Sequence, residues 1–180
     1  MKTIEEIDNP SELRTALLDQ LQHLTAEVDA LKGIIDVVPA PIRQGRPKPG
    51  ALSIKEMYGA LVALNESIYP ERLAQLTEGD AECPAFEPIP DQTLAQREPW
   101  NEQALDDILD RIEEARDALV DTFEALDEGD WSATGTFDGE ERDVYAFAHH
   151  IIQEDARLLQ EVSHRLHESN LTGRNEDLPK

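Results

Sequence analysis

The side chains best suited to chemistry lie in the last third of the sequence. His149 and His150 are adjacent, Glu154 follows His150 by four residues, and Asp155 comes next. Neighbouring residues of a helix point about 100° apart, so the two imidazoles cannot both face one pocket. His150 and Glu154 fall on one face and have the spacing of two ligands of a divalent metal, with Glu66 from an earlier segment as a candidate third donor. Solvated side chains at the edge of a helix bundle account for the same pattern. His164 and His167 stand three apart, but off the stripe set by Val162 and Leu166, which places them on the surface; His23 has no visible partner. The single cysteine, Cys83, lies in a Pro-rich stretch without a nearby histidine, so it reads as an ordinary loop thiol and cannot form an internal disulfide.

Two polar residues fall where apolar ones belong. Asp155 lies within the arc set by Ile151, Leu158 and Val162, and Asn65 within the arc set by Leu61 and Ile68. A charge on a core stripe is costly without a partner. Either these residues make hydrogen bonds that tie two helices, or they form the polar floor of a small-molecule pocket. The candidate pocket is therefore Asn65, Glu66, His150, Glu154 and Asp155.

The elements that must position them are four amphipathic segments. The first begins at Asn9-Pro10, an N-cap followed by proline at the first helical position, and runs through Leu13, Leu17, Leu21, Leu24, Val28, Leu31 and Ile35 towards Pro39 and Pro41. The second starts at the capping box Ser53-Ile54-Lys55-Glu56 and carries Ile54, Met57, Leu61, Leu64 and Ile68 before Pro70, which should kink it or begin a separate turn through Leu73 and Leu76. From 78 to 100 prolines dominate and no helical period appears, so this stretch reads as a loop, either a crossover between bundle ends or a lid. The third segment, with Leu105, Ile108, Ile112, Ala115, Leu119 and Phe123 inward, has the cleanest pattern; the fourth carries Val144, Phe147, Ile151, Leu158, Val162 and Leu166. The predicted helices span 10–38, 53–77, 101–127 and 141–168. No strand alternation competes apart from a weak signal at Thr134 to Phe137, and a sheet of three strands is not expected. Such stripes must bury one another, which predicts an all-α four-helix bundle in one domain over 1–180, with a helical core over 10–168 and a polar tail over 169–180.

Composition limits the partners. Against 39 Asp and Glu there are 16 Lys and Arg, a formal net charge of -23, which should repel nucleic acid and anionic membranes. The acids are spread along the chain, and five lysines stand against eleven arginines. This balance suits either a salt-rich cytoplasm, where the repulsion is screened, or an acidic mesophilic protein. No apolar run approaches the roughly 20 residues needed to span a bilayer. The acidic opening of the chain is unlike a secretory leader, so a cytoplasmic location is expected, and the Asn-x-Ser/Thr triplets at Asn65 and Asn170 read as chance matches.

Two stretches carry a family resemblance. Gly50-Ala51-Leu52-Ser53-Ile54-Lys55-Glu56-Met57-Tyr58-Gly59-Ala60-Leu61 resembles the opening of the second helix of DinB/YfiT-like proteins, roughly Gly-x-Trp-Ser-Val-x-Glu-x-x-x-His-Leu. His150-Ile151-Ile152-Gln153-Glu154-Asp155-Ala156-Arg157-Leu158-Leu159-Gln160 is similar to the closing motif of that family, His-Ile-x-x-His-Asp-x-x-His-x-x-Gln. The resemblance covers about residues 11 to 168. It implies a bundle whose first two and last two helices are antiparallel, with a long crossover between helices two and three. It further implies a metal held by three histidines and, in some members, thiol-dependent transferase or isomerase activity.

All three ligand positions depart from that pattern, holding Ala60, Glu154 and Leu158. One carboxylate is a poor transition-metal site. The expectation is a member without metal or other cofactor, binding a small molecule or acting as an interacting homodimer. The alternative is a metal-dependent thiol transferase or hydrolase with the non-standard ligands His150, Glu154 and Glu66.

Overall fold

The computed structural model describes residue 7 and residues 9–35, 37–77 and 84–176, with side chains described to residue 167. Cys83 and residues 177–180 of the predicted polar tail fall outside the described residues; the rest of that tail continues the last helix, eight residues past its predicted end at 168. Helix α1 (Pro10–Ile35) starts where Asn9 predicts: its Oδ1 accepts from the backbone N–H groups of Ser11, at 3.0 Å, and Glu12, at 3.4 Å. Leu17, Leu21, Leu24, Val28 and Ile35 form its buried face. It ends three residues before the predicted limit, and the Pro39/Pro41 region makes a separate short helix, α2 (Ala40–Gln44), because proline cannot continue the hydrogen-bond ladder of α1.

The capping box at Ser53 is formed in both directions: Ser53 Oγ accepts from Glu56 N at 3.1 Å and Glu56 Oε2 accepts from Ser53 N at 2.8 Å. It opens α3 (Ile54–Ala63), in which every residue is buried, Lys55 and Glu56 included. The second segment is thus the centre of the molecule rather than a helix with one apolar stripe. Its chain does not break at Pro70. It widens into a π turn over Leu64–Ile68 and continues as α4 (Tyr69–Thr77). The wider turn makes room where a proline ring would otherwise strike the preceding carbonyls, and π turns of this kind often accompany function.

The Pro-rich connection contains structure that its composition hides: strand β1 (Ala85–Phe86), helix α5 (Asp91–Ala95) and a 3₁₀ turn over Trp100–Glu102. Trp100 lies against α3 at Gly59, where its indole ring fills the space that a Cβ would take. This docking delays the third bundle helix, α6, to Leu105–Ala125. After the capped turn α7 (Glu128–Trp131) come β2 (Thr134–Phe137) and β3 (Glu140–Asp143), then the long α8 (Val144–Glu176).

The absence of a sheet was the expectation the structure overturns. β2 and β3 form an antiparallel hairpin with Phe137 opposite Glu140, and β1 adds in parallel, pairing Phe86 with Phe137. The two-residue turn Asp138-Gly139 has φ of 51° and 80°, the left-handed pair that closes tight hairpins. Strands of two and four residues are too short to show clear alternation, which is why only β2 left a trace, the weak signal at Thr134 to Phe137, and β1 and β3 none. The hairpin occupies the predicted start of the fourth helix, so α8 begins at Val144, where Asp143 Oδ1 accepts from Ala146 N at 2.8 Å.

Helices α6 and α8 each pack against both α1 and α3, so the four long segments enclose one core. Phe123, Trp131, Phe137 and Phe147 join the hairpin to it. No helix among the described residues is long and apolar enough to cross a membrane.

Candidate functional site

The positions that resemble metal ligands are the first test of the site. Ala60 on α3 and Leu158 on α8 are both fully buried in the hydrophobic core. Neither has a lone pair to offer. Glu154 is half-buried, and its carboxylate accepts from Arg157, with Nε to Oε2 at 3.0 Å. Arg157 in turn holds Asp91 of α5 through two bonds, at 3.0 and 2.9 Å. Among the described residues no group of three or more His, Cys, Asp or Glu side chains stands close enough to hold a metal ion. The residues present do not suit a transition metal, because one carboxylate already engaged by a guanidinium cannot fix its coordination.

Around Glu154 the structure builds something else. A cavity of about 130 Å³ lies between α4, α5 and α8. His150, Glu154, Asp91, Arg72 and Tyr69 supply its polar lining, and Leu64, Ile68, Pro88, Ile89 and Leu94 its apolar walls. Its size approaches that of the ~150 Å³ engineered cavity that admits benzene. Burial pulls the His150 imidazole below its ordinary range, with Arg142, Arg72 and His149 adding to the effect and Glu154 opposing it. His150 is therefore neutral near pH 7 and can donate or accept.

Tyr69 is buried to 1% exposure, and its hydroxyl has no hydrogen-bond partner among the described residues. Burial pushes it well above the ordinary phenol range, reinforced by Asp155 and Glu154 and opposed by Arg116 and Arg72, so it remains a donor. One turn on, Arg72 Nη2 donates to Glu87 O at 2.6 Å, and the guanidinium lies over the Phe86 ring at 5.4 Å. Neither Tyr69 nor Arg72 stood out in the sequence. Carrying the helical period through Pro70 would have placed Arg72 one turn beyond Ile68 and Tyr69 one turn beyond Asn65.

The five candidate residues do not share one pocket. His150 and Glu154 line the cavity just described. Asn65 and Glu66 line a more open groove between the π turn and α6, with Arg111, Ala115 and Ala118. There Glu66 accepts two bonds from Arg111, both 2.8 Å, so it is not a third donor beside His150. Asn65 Nδ2 donates to Leu61 O at 2.8 Å, while its Oδ1 has no partner among the described residues. Asp155 is buried in the bundle and accepts from Arg116 at 2.6 Å, and Arg116 also donates to Leu21 O at 3.4 Å. The hydrogen-bond reading of Asp155 is the one this geometry supports, since the pair ties α8 to α6 and α1. Arg116 itself was overlooked, although it follows Ile112 by four residues and precedes Leu119 by three, which is a core position. Of the remaining histidines, His164 and His167 are exposed, and His23 has Glu27 at 3.6 Å, one turn along α1.

Comparison with known proteins agrees with this architecture. The family model described as the DinB superfamily matches residues 10–162. Among solved structures the chain is similar to YfiT from Bacillus subtilis, described as a probable metal-dependent hydrolase with an unusual four-helix bundle topology. The TM-score is 0.74 at 12% identity, with 94% of each chain covered. At that identity the likeness speaks for the fold. No curated protein gives a match.

Proposed function

This chain belongs to the DinB superfamily, and we propose that it is a member that binds a small molecule without a metal, in the cavity between α4, α5 and α8. The observation that carries this reading is the change of chemistry at the ligand positions. Ala60 and Leu158 are hydrocarbon in a fully buried setting, and Glu154 is held by Arg157. Of the three positions Glu154 lines the cavity, together with His150, Tyr69, Arg72 and an apolar wall. That combination is the usual make-up of a small-molecule site. We propose in addition a cytoplasmic protein that pairs as a homodimer, supported by the exposed apolar side chains Ile34, Val37 and Ile42 near the end of α1 and on α2.

Elemental analysis of protein purified without chelator or affinity tag tests the metal-free reading. The expected result is zinc, nickel and manganese each far below one per chain. A stoichiometric metal that survives dialysis, and that Glu154→Ala or His150→Ala removes, would overturn it and restore the hydrolase or transferase reading.

A further inference from the structure

We infer that the cavity between α4, α5 and α8 takes a small monocarboxylate with a short apolar or aromatic tail, bound through Arg72 and the Tyr69 hydroxyl. The inference rests on the small-molecule reading above and adds the ligand class. Its first support is a charge imbalance at one place. Acids outnumber bases 39 to 16 in this chain, yet Arg72 has no carboxylate partner among the described residues. Its one hydrogen-bond partner there is the carbonyl of Glu87. Most other N–H donors of its planar fork remain for an anion, which such a fork binds in two-point fashion.

Arg157, which does not itself line the cavity, holds both Asp91 and Glu154 and offsets one of their two charges, so their repulsion of an anion is reduced. A neutral guest would leave the Arg72 fork without an acceptor.

The Tyr69 hydroxyl is the independent observation. It is buried, without a hydrogen-bond partner among the described residues, and lies one turn before Arg72 on the same helix. A buried donor left unmatched is costly, and a carboxylate oxygen is its strongest acceptor. Leu64, Ile68, Ile89 and Leu94 provide the apolar wall, and about 130 Å³ suffices for a ring or a short chain rather than a nucleotide or a peptide.

Isothermal titration and ligand-observed NMR with benzoate, benzyl alcohol and benzylamine, at an ionic strength that screens the net negative charge, test the class directly on the wild-type protein. Benzoate is expected to bind at least about tenfold more tightly than either analogue, the worth of one charge-assisted bond. Arg72→Met should weaken benzoate about tenfold or more and leave benzyl alcohol unchanged; Tyr69→Phe should weaken it several-fold. Equal binding of benzoate and benzyl alcohol would overturn the carboxylate assignment while leaving a metal-free binding cavity intact. No binding of any probe at millimolar concentration would overturn it as well, and the metal analysis would still decide the broader reading separately. Because the wild-type comparison needs no variant, misfolding of Arg72→Met would not blunt the test.

Discussion

Arg116 Nη2 and Asp155 Oδ2 lie 2.6 Å apart in the middle of the bundle, with the guanidinium fully buried. The pair explains a carboxylate on the core stripe of α8, and it joins α6 to α8 while a second donor of Arg116 reaches Leu21 O on α1. It is incompletely matched, since Asp155 Oδ1 and Arg116 Nε find no partner among the described residues. Burial therefore pushes the Asp155 carboxyl up to about 6, with Arg116 opposing the rise and Glu154 and Glu27 adding to it.

The sign of the resulting pH effect follows. An unfolded aspartate titrates near ~3.9, so between about pH 4 and 6 the folded chain holds a proton that the unfolded chain has lost. Asp155 should make the protein less stable as pH rises through that window, by on the order of 2–3 kcal/mol, with no further change above it. Urea unfolding at stepped pH, compared with Asp155→Asn, isolates this slope. Glu56 titrates low because the Arg46 pair and the Ser53 N–H outweigh its burial, and Glu98 because of Arg111; both keep their contributions in the variant. Identical slopes in the two proteins would contradict the assignment. Arg116→Met should move the Asp155 carboxyl higher still, visible by carbon NMR, and cost roughly 3–5 kcal/mol.

Gly59 and Trp100 make a sharp packing prediction. Trp100 is 1% exposed, and its ring occupies the space a Cβ at position 59 would take. Gly59→Ala should gain helix propensity yet lose stability by about 1–3 kcal/mol, because the indole must move out of a dense core. A red-shifted tryptophan emission should accompany the loss. Unchanged or increased stability would mean that Trp100 yields its place without cost.

Homodimer formation is checked by light scattering at high salt, where repulsion between two chains of charge -23 is screened. The expected mass is twice 20.2 kDa. Val37, 80% exposed, and Ile34, 49% exposed, are the side chains whose replacement by glutamate should return the monomer. A monomeric wild type under these conditions would contradict the proposal.

The bundle was legible in the sequence because it rests on local rules. Apolar residues spaced by three and four on α1 and α6, the Asn9 cap and the Ser53-Glu56 capping box each state their structure within a few residues, and these elements form where they were read. The loss of metal donors at Ala60 and Leu158 was legible for the same reason, since a side chain without a lone pair cannot ligate in any fold. What only the tertiary structure decided depends on non-local partners. The small sheet pairs Phe86 with Phe137 across the chain, and its local traces are only the weak strand signal at Thr134 to Phe137 and the Asp138-Gly139 turn that follows it. The five polar candidates were divided among a cavity, a groove and a buried ion pair, because the π turn and helix packing set which neighbour each side chain meets. The pairing of Arg157 with Asp91, 66 residues away, leaves Arg72 as the arginine at the cavity without a carboxylate in direct contact among the described residues. No spacing rule in a sequence records which of two arginines will find an acid and which will not.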